Sequence, residues 1–141
     1  MNSVCGQCYC GACRYTVDPG PIQVIHCHCS MCRRQHGAAF STWVSVGAQR
    51  FTLDAQEGAV RSFAVSERTT KFFCAACGTT LYHVTRGYDN VIGLLAGTLR
   101  TPVELRPTGH YFYSDRADWT APPSDGLPLC GGPSGFEQLV R

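Results

Sequence analysis

The stretch Cys27-His28-Cys29-Ser30-Met31-Cys32-Arg33-Arg34 sets the reading of the whole chain. Its cysteines follow the pattern CxCxxC, and no fourth cysteine stands beside them. Structural zinc is closed by four protein ligands, whereas catalytic zinc keeps three and leaves one position open. The stretch therefore predicts a zinc centre on Cys27, Cys29 and Cys32 with an open position. A β-rich run from Ile22 to Cys27 leads into it, and Ser30 to Gln35 reads as a helical turn stopped by Gly37.

Two other clusters flank it in sequence. One is Cys5, Cys8, Cys10 and Cys13; the other is Cys74 and Cys77, followed by Gly78. A CxxC-Gly turn aims two thiolates at one point, which is half of a tetrahedral site. The other half must come from elsewhere in the chain. Cys8 and Cys10 with Cys74 and Cys77 would make a closed four-cysteine site. Alternatively, Cys5, Cys8, Cys10 and Cys13 close a site locally, leaving Cys74 and Cys77 to meet the central cluster. In the first partition Cys5, Cys13 and the solitary Cys130 are small apolar residues or chance thiols.

Ten cysteines could also suggest disulfides. The start Met1-Asn2-Ser3-Val4 lacks the basic and apolar regions of a secretory signal, and no apolar run would span a membrane. Metal in a cytoplasmic protein is the expectation. With 12 Lys+Arg against 10 Asp+Glu, the net charge of +2 provides no concentrated basic face, so nucleic acid is not an expected partner.

The remaining pattern is mainly β. Two antiparallel strands meet near Gly11, Asp18-Pro19-Gly20-Pro21 is a turn, and Phe40 to Val46 is a strand that Gly47 breaks and Arg50 to Leu53 resumes. Ala59 to Val65, Thr70 to Cys74, Thr80 to Val84, Val91 to Ala96 and His110 to Tyr113 complete the set. No segment keeps a 3.6-residue apolar period over three turns. The Pro/Gly/Ser-rich residues 121–141 read as an irregular tail to one domain over residues 5–120.

Four residues are candidates for holding a small ligand. Arg33 and Arg34 follow the last thiolate and could offset its charge or grip a carboxylate. His110 and Trp119 are candidate pocket residues, with His36 and Tyr111 as further ones. His26 and His28 alternate with Cys27, so in an extended segment they face away from the metal and support it from outside.

The segments Gly6-Gln7-Cys8-Tyr9-Cys10-Gly11, Cys27 to Arg34 and Phe73-Cys74-Ala75-Ala76-Cys77-Gly78-Thr79, in that order, resemble the glutathione-dependent formaldehyde-activating enzyme family, whose relatives include centromere protein V. His110 to Trp119 is similar to that family's C-terminal aromatic segment. The resemblance covers about residues 5–120. It implies a zinc-stapled, Mss-four-like β-tent of short antiparallel sheets, with two Zn²⁺ sites. The closed one is Cys8, Cys10, Cys74 and Cys77; the open one is Cys27, Cys29 and Cys32, taking a thiol such as glutathione. Cys5, Cys13 and Arg100-Thr101 depart from the family's pattern, and the tail beyond Leu127 matches nothing in it.

The expected function is thus a zinc-dependent carbon–sulfur lyase that adds a zinc-bound thiol to a small aldehyde. The rival is a non-catalytic interaction module with both zincs structural. That rival requires a fourth ligand for the central zinc, from Cys13, His36 or Cys130.

Overall fold

Val4–Gln7 forms β1 and Cys13–Val17 forms β2, paired antiparallel with Gly6 opposite Tyr15. Along β2, Cys13, Tyr15 and Val17 are buried while Arg14 and Thr16 are exposed, the alternation of a strand with one wet face. The chain continues through β3 (Gln23–Cys27), α1 (Ser30–His36) and β4 (Ser41–Gly47). Then follow β5 (Phe51–Ala55), β6 (Val60–Ala64), β7 (Thr69–Cys74), β8 (Thr80–Thr85) and β9 (Val91–Leu95). Last come β10 (Pro107–Tyr111), β11 (Cys130–Gly131) and β12 (Glu137–Gln138). This computed structural model describes residues 2–140 and is mainly β, as the sequence predicts. No helix among the described residues is long and apolar enough to cross a membrane.

The chain divides into two compact units. The first joins the residues before Gln23 to Val44–Glu104. Within it, β1, β2 and β5 make one antiparallel sheet, and β9, β8, β7 and β6 lie side by side in that order. Its core is built on Tyr15, Val17, Leu81 and Leu94, each at most 1% exposed. Burying side chains of this size stabilises by roughly 1.5–3 kcal/mol each. The Tyr15 hydroxyl finds a partner in Thr98 Oγ1 at 2.7 Å, so its burial leaves no polar atom unmet.

The second unit joins Gln23–Trp43 to the residues from Leu105 onward. Here β10 pairs with β3 in parallel, placing His110 opposite His26 and Tyr111 opposite Cys27. This pair is parallel, whereas the pairings β1–β2, β2–β5, β6–β7, β7–β8, β8–β9 and β11–β12 are antiparallel. The last predicted strand is shifted: it begins at Pro107 rather than His110 and ends before Phe112. Proline tolerates the first position of a strand, and the Thr108 hydroxyl donates to the Val24 carbonyl at 3.3 Å. The strand stops because Phe112 adopts φ +55°, a left-handed conformation rare for a bulky residue. Phe112 is held there by its amide bond to Gly135 O at 2.9 Å and by its ring against Phe136.

Residues 121–140, expected to be irregular, belong to this second unit. They contain the antiparallel β11–β12 pair. The His110 amide donates to Pro128 O at 2.9 Å, and the Leu139 amide donates to Leu129 O at 2.8 Å. Proline and glycine in this stretch set turns rather than disorder.

Candidate metal centres

The first centre lies within the first unit. Cys8 follows β1, Cys10 stands in the turn before β2, Cys74 ends β7, and Cys77 stands in the turn into β8. Gly78, at φ +81°, lets that turn close, with its amide donating to Cys74 O at 2.8 Å. The four sulfurs converge within 4.8 Å of one another. Cys8 to Cys10 is 3.6 Å and Cys10 to Cys74 is 3.7 Å. Tetrahedral zinc with Zn–S bonds of about 2.3 Å puts sulfurs roughly 3.8 Å apart, so this set fits the ion.

Neighbouring donors prepare these sulfurs for the anionic form. The Cys13 amide donates to Cys8 Sγ at 3.3 Å, and the Cys77 amide to Cys74 Sγ at 3.5 Å. The Thr79 hydroxyl, 3.2 Å from Cys77 Sγ, and the Thr79 amide lower the Cys77 thiol to about 5. Cys5 and Cys13 are not in the group. Cys5 is paired with Thr101 Oγ1 through its amide (2.9 Å) and its sulfur (3.1 Å). Cys13 is fully buried, its thiol donates to Ala59 O, and burial pushes it up to about 12. The local arrangement of Cys5, Cys8, Cys10 and Cys13 is therefore not the one the fold adopts.

The second centre lies within the second unit. Cys27 ends β3, Cys29 is the N-cap of α1, and Cys32 sits one turn into the helix. As N-cap, Cys29 accepts the Cys32 amide at 3.2 Å. Cys27 and Cys32 sulfurs are 3.6 Å apart, again the spacing of zinc-bound thiolates. As thiols the three share protons. Hydrogen bonds from Cys27 and then Cys32 pull Cys29 far below its ordinary value, and the partnership with Cys29 pushes Cys27 up. Removing the remaining protons without a cation would crowd like charges. The group has three donors and no fourth Cys, His, Asp or Glu among the described residues. Cys27 and Cys32 are buried while Cys29 is half-buried.

None of the fourth-ligand candidates joins the three-sulfur group. His36 packs edge-on against Trp43, 5.6 Å between ring centroids, and Cys130 lies in the β11–β12 ladder opposite Gln138. Among the candidate ligand-holding residues, Arg33 is anchored by its Nε to Asp115 O at 3.0 Å, and Arg34 is exposed on the same helix. Trp119 stands 70% exposed rather than on a wall of packed residues. The Tyr111 hydroxyl is 2.8 Å from Thr108 Oγ1, and its ring packs on Phe136.

The histidines form a cluster of their own in the second unit. His28 and His110 are 4% and 1% exposed, and His28 Nε2 is 2.8 Å from His110 Nδ1. His110 Nε2 in turn meets Asp125 Oδ2 at 2.8 Å. His28 stacks on Phe40 and touches the edge of Tyr113. Burial lowers His28 to about 4, which keeps it neutral. Neither His26 nor His28 joins the sulfur group. Sequence reasoning missed Asp125 altogether: it lies in a Pro-Pro-Ser-Asp-Gly turn, whose composition signals only a bend.

The family described as glutathione-dependent formaldehyde-activating enzyme matches residues 3–115, which include all seven cysteines of the two groups. The chain belongs to this family. A protein of Halomonas elongata named "Putative glutathione-dependent formaldehyde-activating enzyme" is 23% identical over 121 residues, covering 81% of this chain and 77% of that protein. The crystal structure of a Rhodobacter sphaeroides protein superposes with a TM-score of 0.58 at 20% identity, covering 70% of this chain and 90% of that one. The latter likeness is one of fold.

Proposed function

We propose that this member of the family is a zinc-dependent carbon–sulfur lyase that joins a small thiol, glutathione first among them, to a small aldehyde such as formaldehyde. The reading makes the Cys8, Cys10, Cys74 and Cys77 group the closed structural zinc site. Cys27, Cys29 and Cys32 are then the ligands of the reactive zinc. When bound there, zinc supplies a site where an incoming thiol is held as the thiolate.

The chain's own part is to bind and to orient. The Cys32 amide aims the Cys29 sulfur, and β3 with α1 holds the three donors at zinc spacing while leaving a fourth position to a ligand. Arg33, fixed through Nε by the Asp115 carbonyl, keeps its terminal nitrogens for a carboxylate, and Arg34 is exposed beside it. A guanidinium grips a carboxylate in two parallel bonds, and glutathione carries two carboxylates. The reading places the protein in the cytoplasm, where glutathione and reduced cysteines coexist.

The observation that carries this reading is the three-sulfur group with no fourth Cys, His, Asp or Glu donor among the described residues. The same observation counts against an interaction module with two structural zincs. Calorimetry of glutathione and S-methylglutathione on the zinc-loaded protein, in two buffers of different ionisation enthalpy, tests it. Glutathione should bind with release of a proton, since free thiols are mostly protonated near pH 7. Equal binding of the two compounds, or binding of neither, would overturn the reading. In the same preparation, formation of the thiol–formaldehyde adduct above the uncatalysed rate should disappear in Cys29→Ser.

A further inference from the structure

We propose that His26, His110 and Asp125 form a third metal site, built from two imidazoles and one carboxylate, for a borderline divalent ion such as Zn²⁺, Co²⁺ or Ni²⁺. The three residues come from β3, β10 and the segment after residue 120, all in the second unit. Their ligand atoms lie within 4.8 Å of one another. His26 and His110 face each other across the parallel β3–β10 register, with ring centroids 4.8 Å apart and planes inclined by 31°.

Each of the three has one polar atom fixed from outside the trio, and His110 Nε2 and Asp125 Oδ2, which meet each other at 2.8 Å, are the pair an ion would enter between. Thr42 Oγ1 takes His26 Nδ1 at 2.8 Å and leaves the other ring nitrogen. His28 Nε2 takes His110 Nδ1 at 2.8 Å and leaves Nε2. The Leu127 amide donates to Asp125 Oδ1 at 3.0 Å and leaves Oδ2. Ligand histidines almost always have their second nitrogen held in this way, because the outer partner fixes the tautomer and the ring plane. A simple tether between His110 and Asp125 would explain one bond. It would not explain why His26 is oriented by Thr42 beside that bond.

The donor set selects the class of ion. Imidazole suits zinc, cobalt, nickel and ferrous iron, whereas magnesium and calcium prefer oxygen alone. Metal–nitrogen and metal–oxygen bonds of about 2.0–2.2 Å put donors roughly 3–3.5 Å apart. The two histidines are held by the strand ladder, so Asp125 makes the adjustment. It sits in an irregular segment with its side chain 41% exposed, which also provides the approach for the ion. Three protein donors leave further positions to water or a small anion. The site is separate from the cysteines, because neighbouring side chains of an extended strand face opposite ways and no sulfur is in the group.

The test is a Co²⁺ titration of the full-length protein holding two zinc equivalents, one for each sulfur group, followed by calorimetry and by absorption. One further equivalent should bind, with weak visible d–d bands and without the near-ultraviolet sulfur-to-cobalt bands that a cysteine site produces. Asp125→Asn and His26→Gln should each weaken that equivalent at least about tenfold while leaving zinc content unchanged. Thr42→Val, which touches no ion, should weaken it by about tenfold through loss of orientation. Absence of a further equivalent, sulfur-to-cobalt bands in it, or an affinity indifferent to Asp125→Asn would overturn the proposal. Asp125 would then only tether the C-terminal segment to His110.

Discussion

The Cys32 amide donates to the Cys29 sulfur at 3.2 Å, so one atom is both the N-cap of α1 and a candidate zinc donor. A ligand that also caps its helix is aimed by the backbone, not by side-chain packing. The two roles can be separated by substitution. Serine is among the preferred caps, and replacing a good cap by alanine costs about 1 kcal/mol. In chelator-treated protein unfolded by urea, Cys29→Ser should therefore stay within about 0.5 kcal/mol of the parent, and Cys29→Ala should lose about 1 kcal/mol. Before chelation, both should hold one zinc fewer than the parent. Equal stability of the two variants would show that the cap contributes nothing.

The two sulfur groups should release metal in order. Four thiolates enclose an ion more completely than three with an open position. Mild chelation should remove one zinc equivalent first, with far-ultraviolet dichroism preserved. The second equivalent should leave only with unfolding, because metal binding at a closed site is part of the folding free energy. Cys77→Ser should accordingly be insoluble or melt far lower. A soluble Cys77→Ser protein with unchanged melting would refute the assignment of the closed site.

Gly6 should not accept a side chain. A Cβ there would fall on the phenol of Tyr15 and within 2.7 Å of the Thr98 carbonyl oxygen. Tyr15 is 1% exposed and bonded to Thr98, so it has nowhere to retreat. Overpacking of this kind costs about 1–3 kcal/mol. Gly6→Ala should fall in that range by urea denaturation, and Gly58→Ala, with open space around its Cβ, should show only the smaller cost of its φ of +81°.

Acid should weaken the first unit through His83. Burial, and then the charge of Lys71 opposite it in the β7–β8 ladder, lower His83 from 6.5 to about 4. Between those values the unfolded chain binds a proton that the folded chain refuses. Stability therefore falls as pH drops from about 6.5 towards 4, and the effect is complete below the folded value. At 1.36 kcal/mol per pH unit, the contribution is about 3 kcal/mol at most. The pH slope of stability should be shallower in His83→Gln than in the parent, both zinc-saturated. Parallel slopes would rule out His83 as a source.

Much of this molecule was legible from local pattern. CxC, CxxC and CxxC-Gly are short-range signals, because the spacing itself decides that two sulfurs can meet one ion. The strands around them follow from β-branched and aromatic runs bounded by Gly and Pro, and most lie where the sequence puts them. The alternation of His26, Cys27, His28 and Cys29 already separated the imidazoles from the sulfurs.

What the sequence could not determine depends on residues far apart along the chain. Nothing near Gly6 announces that Tyr15 and Thr98 will close over it. Nothing near Cys5 points to Thr101, 96 positions away. The parallel pairing of β3 with β10 has no local signature either, since a strand's side-chain period is the same in both directions. The segment after residue 120 looked irregular because Pro, Gly and Ser mark turns regardless of what the turns bring together. Only the folded chain, by setting Pro128 against the His110 amide and Asp125 against the His110 ring, decides that this segment completes the histidine cluster. Ligand spacing is a property of a few consecutive residues, whereas a shared hydrogen bond across the fold is a property of the whole packing, and only the tertiary structure contains it.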